Sequence, residues 1–445
     1  MTKAAANKGV SEPNLVELVR AVPSGGPPWV QKLRRDALAC FEETGFPTSK
    51  DEEWRQTRVA PITSIAYLPG PAPSPGRADV DRLARGGFDC PRVVLINGRI
   101  AESLSDLEEL PEGVEVAALA ETLETAPERI EPHLGSVAAL EHMPFAALNT
   151  AALADGAIVT VKPGAVVEKP VHLVHLSLTG GAPTVSHPRV LVVVGENAQA
   201  ELIETYHGED DSVYLTNAVA EIVVGENATL YHDRVQCESH AAFHIAAVQA
   251  RLARNATYVE HNVNFGAAVA RHDVRGILDG EGAEATLNGL YLATGEQHVD
   301  NHTILDHARA HCPSHELYKG ILADRAKAVF NGRIIVREDS QKTDAKQSNK
   351  NLLLSNDALL HTRPQLEIYA DDVKCTHGAT IGQLEEDALF YLRARGIGAD
   401  EARSILIYAF ASDILERIRH EPLARKLEEE MMSVVGEVLA AGGGS

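Results

Sequence analysis

A mainly β fold, a parallel β-solenoid core flanked by N-terminal and C-terminal α-helical regions, is predicted by three features of this 445-residue sequence. A four-residue turn recurs at near-constant spacing, a Val-rich apolar run precedes each copy, and helical periodicity is confined to the segments before and after. The tetrapeptide Gly195-Glu196-Asn197-Ala198 returns as Gly225-Glu226-Asn227-Ala228, loosely as Ala253-Arg254-Asn255-Ala256, and again as Gly280-Glu281-Gly282-Ala283. The steps are 30, 28 and 27 residues, within the range of a solenoid coil. The third position is Asn, Asn, Asn and Gly, the residues that enter the left-handed backbone region at least cost, so the repeat preserves a turn geometry rather than a particular side chain. Lys162-Pro163-Gly164-Ala165 and Ala323-Asp324-Arg325-Ala326 read as degenerate copies. A sandwich or barrel carrying similar turns is the competing architecture.

In chain order, Trp29 to Phe46 places Val30, Leu33, Ala37, Leu38 and Phe41 at helical spacing and is entered through Pro27-Pro28, which can start a helix but not continue one. Pro61 to Arg77 has the composition of a linker, so 1–77 is an N-terminal helical region with its linker. An α/β lead-in follows over 78–155, in which Val93-Val94-Leu95-Ile96 runs into the hairpin signal Asn97-Gly98. The solenoid core spans 156–383, with Ile158 to Val161, Leu191 to Val194 and Glu221 to Val224 among its apolar runs. Helical texture returns over 384–441. Glu385 to Arg395 stops at Gly396-Ile397-Gly398, Asp400 caps a segment whose Leu406, Phe410, Ile414 and Ile418 recur at i+4, and Pro422 to Leu439 forms a third helix. These helices either close an open solenoid end or offer a docking surface. The last four residues, 442–445, read as a flexible tail.

Composition excludes several classes of function. A net charge of −22 with no basic run leaves no face for nucleic acid. Met1 to Val10 has no apolar h-region and no later run approaches the ~20 apolar residues of a membrane span, so a cytoplasmic location and no membrane partner are expected. Cys40, Cys90, Cys237, Cys312 and Cys375 are scattered without a C-x-x-C pair, which fits neither a disulfide framework nor a self-contained zinc or ferredoxin-type site. Phosphate-binding glycine motifs and the G-x-S-x-G nucleophile elbow are missing.

The stretch Asp371 to Gly382, DDVKCTHGATIG, carries the most chemistry. On a strand, Cys375 and His377 share one face about 7 Å apart, while Lys374 and Thr376 take the other. A neighbouring cation such as Lys374 or protonated His377 would favour the thiolate. One sulfur and one nitrogen are two ligands, whereas zinc or an iron–sulfur cluster takes about four. The rest must come from distant residues of this chain or from a second protein. A buried cysteine beside a hydrogen-bonded histidine is the plainer alternative. The internal candidates His298, His302, His307, His311 and His315 crowd around Cys312, but on strands i and i+4 lie about 13 Å apart, too far for one ion. Histidines hydrogen-bonded inside a coil are the expectation there. A carbohydrate-acting β-solenoid enzyme with paired carboxylates and a His-rich metal-binding protein remain as readings of other classes.

Four collinear segments resemble the SufB/SufD family of the SUF iron–sulfur cluster assembly machinery, on the SufD side of that family: Gly45 to Ile62, His298 to Ile334, Gln341 to Ser355 and Glu367 to Ile397. The KCTHGAT form and the amino-terminal DEEWR are the most specific pieces. The resemblance implies a right-handed parallel β-helix between helical ends, and a non-catalytic scaffold that pairs with SufB through the β-helix and docks the SufC ATPase on its C-terminal helices. A homodimer is a further association open to the chain when it is alone. It further implies that Cys375 and His377 lie at the heterodimer interface and share a transient iron–sulfur cluster, or its iron or sulfur, with SufB. No cofactor is expected in the isolated chain, which lacks the Cys-rich amino-terminal segment of many SufB proteins. By position, Tyr391, Arg393, Arg395, Leu406 and Phe410 fall in the SufC-docking region.

Overall fold

The computed structural model describes residues 14–22, 25–71, 75–138 and 140–442. The expectations for Met1 to Val10 and for 443–445 fall outside these residues. Between Ala157 and Gly382 the chain winds into a parallel β-solenoid of about eight coils. Successive strands alternate between two sheets, and each pairs in parallel with the strand one coil later. Thus Ala220 lies opposite Val248, Val248 opposite Val274 and Val274 opposite Thr303 in the first sheet. Stacked coils bring equivalent residues into columns, and the apolar columns from both sheets, including Val192, Ile222, Leu252, Leu278, Leu287 and Phe330, fill the bore.

The recurring turn keeps its geometry, since Asn197, Asn227, Asn255 and Gly282 all have positive φ, from 55° to 74°. The side chain is kept as well, contrary to expectation. Asn227 Nδ2 donates to Asn197 Oδ1 at 3.2 Å and Asn255 Nδ2 donates to Asn227 Oδ1 at 3.0 Å, so the asparagines form a ladder up the stack. The ladder ends at Gly282, where a Cβ would stand 2.5 Å from Asn255 Oδ1. Of the two degenerate copies, Gly164 holds the left-handed position at φ 73°, whereas in the later copy that position moves back one residue to Asp324.

The two ends of the solenoid differ. At its start, Val114–Ala118 runs antiparallel to Ala157–Val161, and the hairpin Arg92–Ile96/Arg99–Ile100 turns through Asn97-Gly98, so both sheets begin with a turned-back edge. At its finish, Leu359–Ile368 and Lys374–Gly382 are edge strands with no strand beyond them. The C-terminal helices do not cover that end. They lie along the outer face of the second sheet, where Ile407, Ala411, Ile414 and Leu415 of Ala399–Leu415 and Leu427 and Met431 of Glu421–Gly442 pack on Ile203, Val263, Leu290 and Ile321. Lys319, buried in this contact, donates to the Phe410 carbonyl at 2.8 Å and pairs with Asp413 at 2.9 Å. The buried stripe of the middle helix is therefore Ile407, Ala411, Ile414 and Leu415, with Leu406 and Phe410 half-buried on its flank, and the helix begins at Ala399 behind Gly398 rather than under an Asp400 cap.

The amino-terminal region covers the outer face of the first sheet. Pro28–Thr44 matches the predicted helix and packs against Pro144–Ala151. Trp54 and Phe145 lie on Leu215, Phe243 and Ile245, and the Arg271 guanidinium stacks 3.8 Å above the Trp54 ring. Beside it, Glu53 pairs with His302 at 3.1 Å and accepts from Asn331 Nδ2 at 3.1 Å. The His302 hydrogen bond holds the Glu53 carboxyl down to about 2, against the opposing effect of burial. A carboxyl lowered on folding stabilises the native state above its unfolded value and loses that contribution as pH falls toward its folded value. Acid is therefore expected to loosen the Glu52–Trp54 turn between about pH 4.3 and 2, seen as a change in Trp54 fluorescence that Glu53→Gln abolishes.

Candidate functional site

The open coil places Cys375 and His377. In register, Cys375 stands opposite Ala345 and His377 opposite Gln347, and both of those partners are buried. Side chains in one column share a face, so Cys375 and His377 face the bore at its mouth and Lys374 and Thr376 face away. Cys375 is half-buried against Ile334, Val336 and Ala345, and His377 is exposed. The surrounding rim is apolar and open: Leu359, Ile368, Tyr369 and Ile381 are exposed. An unpaired sheet edge with exposed apolar side chains is a template for association with another chain.

Burial is the main reason the Cys375 thiol lies above its usual range. The nearby Asp344 charge adds to the rise, the Ala345 backbone hydrogen bond opposes it, and neither Lys374 nor His377 offsets it. The expected cation-favoured thiolate is thus not a property of this chain alone. Burial raises the other four thiols too, Cys90 and Cys237 to about 12. Cys375 is distinguished by its place on the open coil, not by its acidity.

The floor of the mouth escaped the sequence reading. Gln347, Asn349 and Asn351 alternate along Asp344–Leu353 directly beneath His377, Ala379 and Ile381. Their buried amides are tied into the bore: Asn349 Nδ2 donates to Tyr291 Oη at 3.3 Å, and Tyr291 Oη donates to Asn351 Oδ1 at 2.5 Å. The period-2 run of amides in Gln347-Ser348-Asn349-Lys350-Asn351 was the available signal.

The histidine cluster is dispersed as the strand spacing required. His298 contacts Thr57 at 2.8 Å, His302 binds Glu53 and Asp300 on the outer face of the first sheet, His307 contacts Ser314 at 3.0 Å inside the bore, and His311 is exposed in a turn. His315 is half-buried. Among the described residues no group of three or more His, Cys, Asp and Glu side chains is arranged to hold a metal ion. The open coil offers two ligand-type groups facing one space. On the C-terminal helices Tyr391 is exposed with Arg395 stacked on its ring at 4.2 Å, and Arg393 is exposed. Exposed Phe390 adjoins them, while Phe410 is partly committed to holding its helix on the sheet.

Residues 176–410 match the family described as "SUF system FeS cluster assembly, SufBD core domain", and residues 19–173 match "SufBD protein N-terminal region". The chain belongs to the SufBD family. Among curated SufBD proteins it is 34% identical to an iron–sulfur cluster assembly SufBD family protein of Synechocystis sp. over 409 residues, 89% of each chain. It is 33% identical to the iron–sulfur cluster assembly protein SufD of Escherichia coli over 402 residues, 90% of each chain. A chloroplastic protein of Arabidopsis thaliana is 33% identical over 91% of this chain and 86% of its own. The core match covers the open coil with Cys375 and His377, the first C-terminal helix and the second as far as residue 410, so SufBD membership applies to the candidate site itself. No helix among the described residues is long and apolar enough to cross a membrane.

Proposed function

We propose that this SufBD protein is a non-catalytic scaffold subunit for iron–sulfur cluster assembly, joined to a SufB subunit through the open coil of its solenoid and carrying a SufC ATPase on its C-terminal helices. Cys375 and His377 supply part of the coordination for a nascent cluster, or for the iron or sulfur that becomes one, and SufB supplies the remainder. The cluster is cargo rather than a resident cofactor. The reading rests on one observation: the only cysteine and histidine two residues apart in the sequence face the bore at the unpaired end of the stack. Two ligands on an edge that invites pairing suit a site completed by a neighbour of like fold. Exposed Phe390, Tyr391, Arg393 and Arg395 form an amphipathic patch suited to SufC, lying on helices that leave the end free.

Affinity purification of the full chain from its own cytoplasm tests this. A homologous solenoid subunit and an ABC-type ATPase are expected to accompany it in stoichiometric amounts. Arg replacing Ile381 on the coil is expected to release the former and Asp replacing Tyr391 the latter. Recovery of the chain without either protein contradicts the proposal.

A further inference from the structure

Gln347, on the floor of the mouth, has an amide that is held in one orientation and only half used. The residue is 3% exposed. Its Nε2 donates to Glu316 Oε1 at 3.1 Å, and Thr303 Oγ1 donates to Glu316 Oε2 at 2.5 Å. Turning the amide over would set its oxygen against the Glu316 carboxylate, so the acid one coil behind decides which end of Gln347 is left over. Gly332 on the opposite sheet leaves room for the amide, because a Cβ there would collide with its Nε2 and Cδ. The end left over is Oε1, a buried acceptor with no hydrogen-bond donor among the described residues. More than nine in ten buried polar groups have a partner, so this atom calls for one.

One coil beyond Gln347, in the same bore-facing column, stands His377. The two strand positions are about 4.8 Å apart at the usual strand spacing. The His377 ring is exposed and makes no hydrogen bond or ion pair among the described residues. Column neighbours elsewhere in the stack are joined by bonds of the kind missing here. Gln347 is itself bonded to Glu316, and on the outer face of the second sheet His261 Nδ1 lies 2.7 Å from Asp233 Oδ1, a histidine held by an acceptor one coil below it. While the mouth is open, water serves the exposed imidazole. When a partner covers the mouth that water is displaced, and the ring N–H and Gln347 Oε1 are left one strand apart with neither of them satisfied.

A histidine that binds a metal through one ring nitrogen donates the N–H of the other to a fixed acceptor, which sets the tautomer and the direction of the ring. We propose that Gln347 is that acceptor: under a docked partner the His377 ring turns onto Gln347 Oε1, donates its N–H there and presents its second nitrogen to the metal ion. The inference rests on the ligand reading of His377 given above. Gln347 is a positioning residue that touches no metal, and Glu316 and Thr303 act only by holding its amide. No covalent bond changes and no proton passes between residues. A rival donor for Oε1 is the Thr362 hydroxyl, which is also buried without a partner, on the edge strand of the opposite sheet.

The test is solid-state NMR of isotopically labelled histidine in the complex of this chain with SufB, loaded with zinc(II), with His377→Ala assigning the signals. In the wild type, His377 is expected to show one metal-bound nitrogen and one N–H shielded from exchange with water. Gln347→Met is close to glutamine in volume and has no oxygen to offer. It is expected to keep the metal-bound nitrogen, to open the N–H to exchange and to weaken zinc binding by about tenfold or more, the range for losing such a partner. Thr362→Val is expected to leave the N–H signal as it is. No metal-bound nitrogen on His377 in the wild type overturns the ligand reading and this proposal together. A metal-bound His377 whose N–H exchanges freely in the wild type overturns the proposal alone, whether or not the methionine variant folds. So does a shielded N–H with unchanged zinc affinity in Gln347→Met.

Discussion

Glu221→Ala is expected to destabilise the chain by about 3–5 kcal/mol, the range for removing one partner of a fully buried ion pair. Glu221 and Arg189 are both 0% exposed and hydrogen-bonded to each other. The same carboxylate accepts the amides of Gly135, Val137 and Ala138, so it joins the lead-in segment to the first sheet. Arg189 in turn donates to Asn149 and Thr150, each at 3.0 Å. Alanine strands a buried guanidinium and three amides at once. Glu221→Gln keeps the shape and loses only the charge, so its cost should be smaller. Urea unfolding followed by circular dichroism checks this through the midpoint at unchanged slope. A loss below about 1 kcal/mol for the alanine variant would show that water replaces the carboxylate, which the burial argues against.

Cys375→Ser is expected to abolish most cluster formation in the reconstituted complex with SufB and SufC while leaving the isolated chain as stable as before. The contrast follows from position: Cys375 is half-buried on an edge strand with only one flank packed, so oxygen for sulfur costs little in the fold, whereas serine is a poor ligand for iron beside thiolate. His377→Ala should act in the same direction with no loss of stability, since His377 is exposed. Cluster yield followed by visible absorption, beside thermal unfolding of the same samples, separates lost chemistry from lost structure.

The solenoid was legible because its cause is local. Asn197, Asn227, Asn255 and Gly282 each satisfy a left-handed turn, and a fixed turn after each apolar run sets the coil length. The Asn97-Gly98 hairpin and the helix at Pro28–Thr44 were legible for the same reason. The placement of the C-terminal helices was not, because whether an amphipathic helix caps an end or lies along a side depends on which apolar surface is left uncovered. Here that surface is the outward face of the second sheet carrying Ile203, Val263, Leu290 and Ile321, which come from different coils. The shared face of Cys375 and His377 followed from strand alternation alone. That the face opens at the last coil, above Gln347 and in line with Glu316, depends on the register of three strands.

The scaffold role proposed for this chain requires Cys375 to lie beneath a docked relative. Alkylation of each cysteine by iodoacetamide, followed by mass spectrometry on the chain alone and in complex with SufB, measures this residue by residue. Cys375 is expected to react in the free chain and to be protected at least tenfold in the complex, with Cys40 unchanged as an internal reference. Equal reactivity of Cys375 in both states would contradict the account.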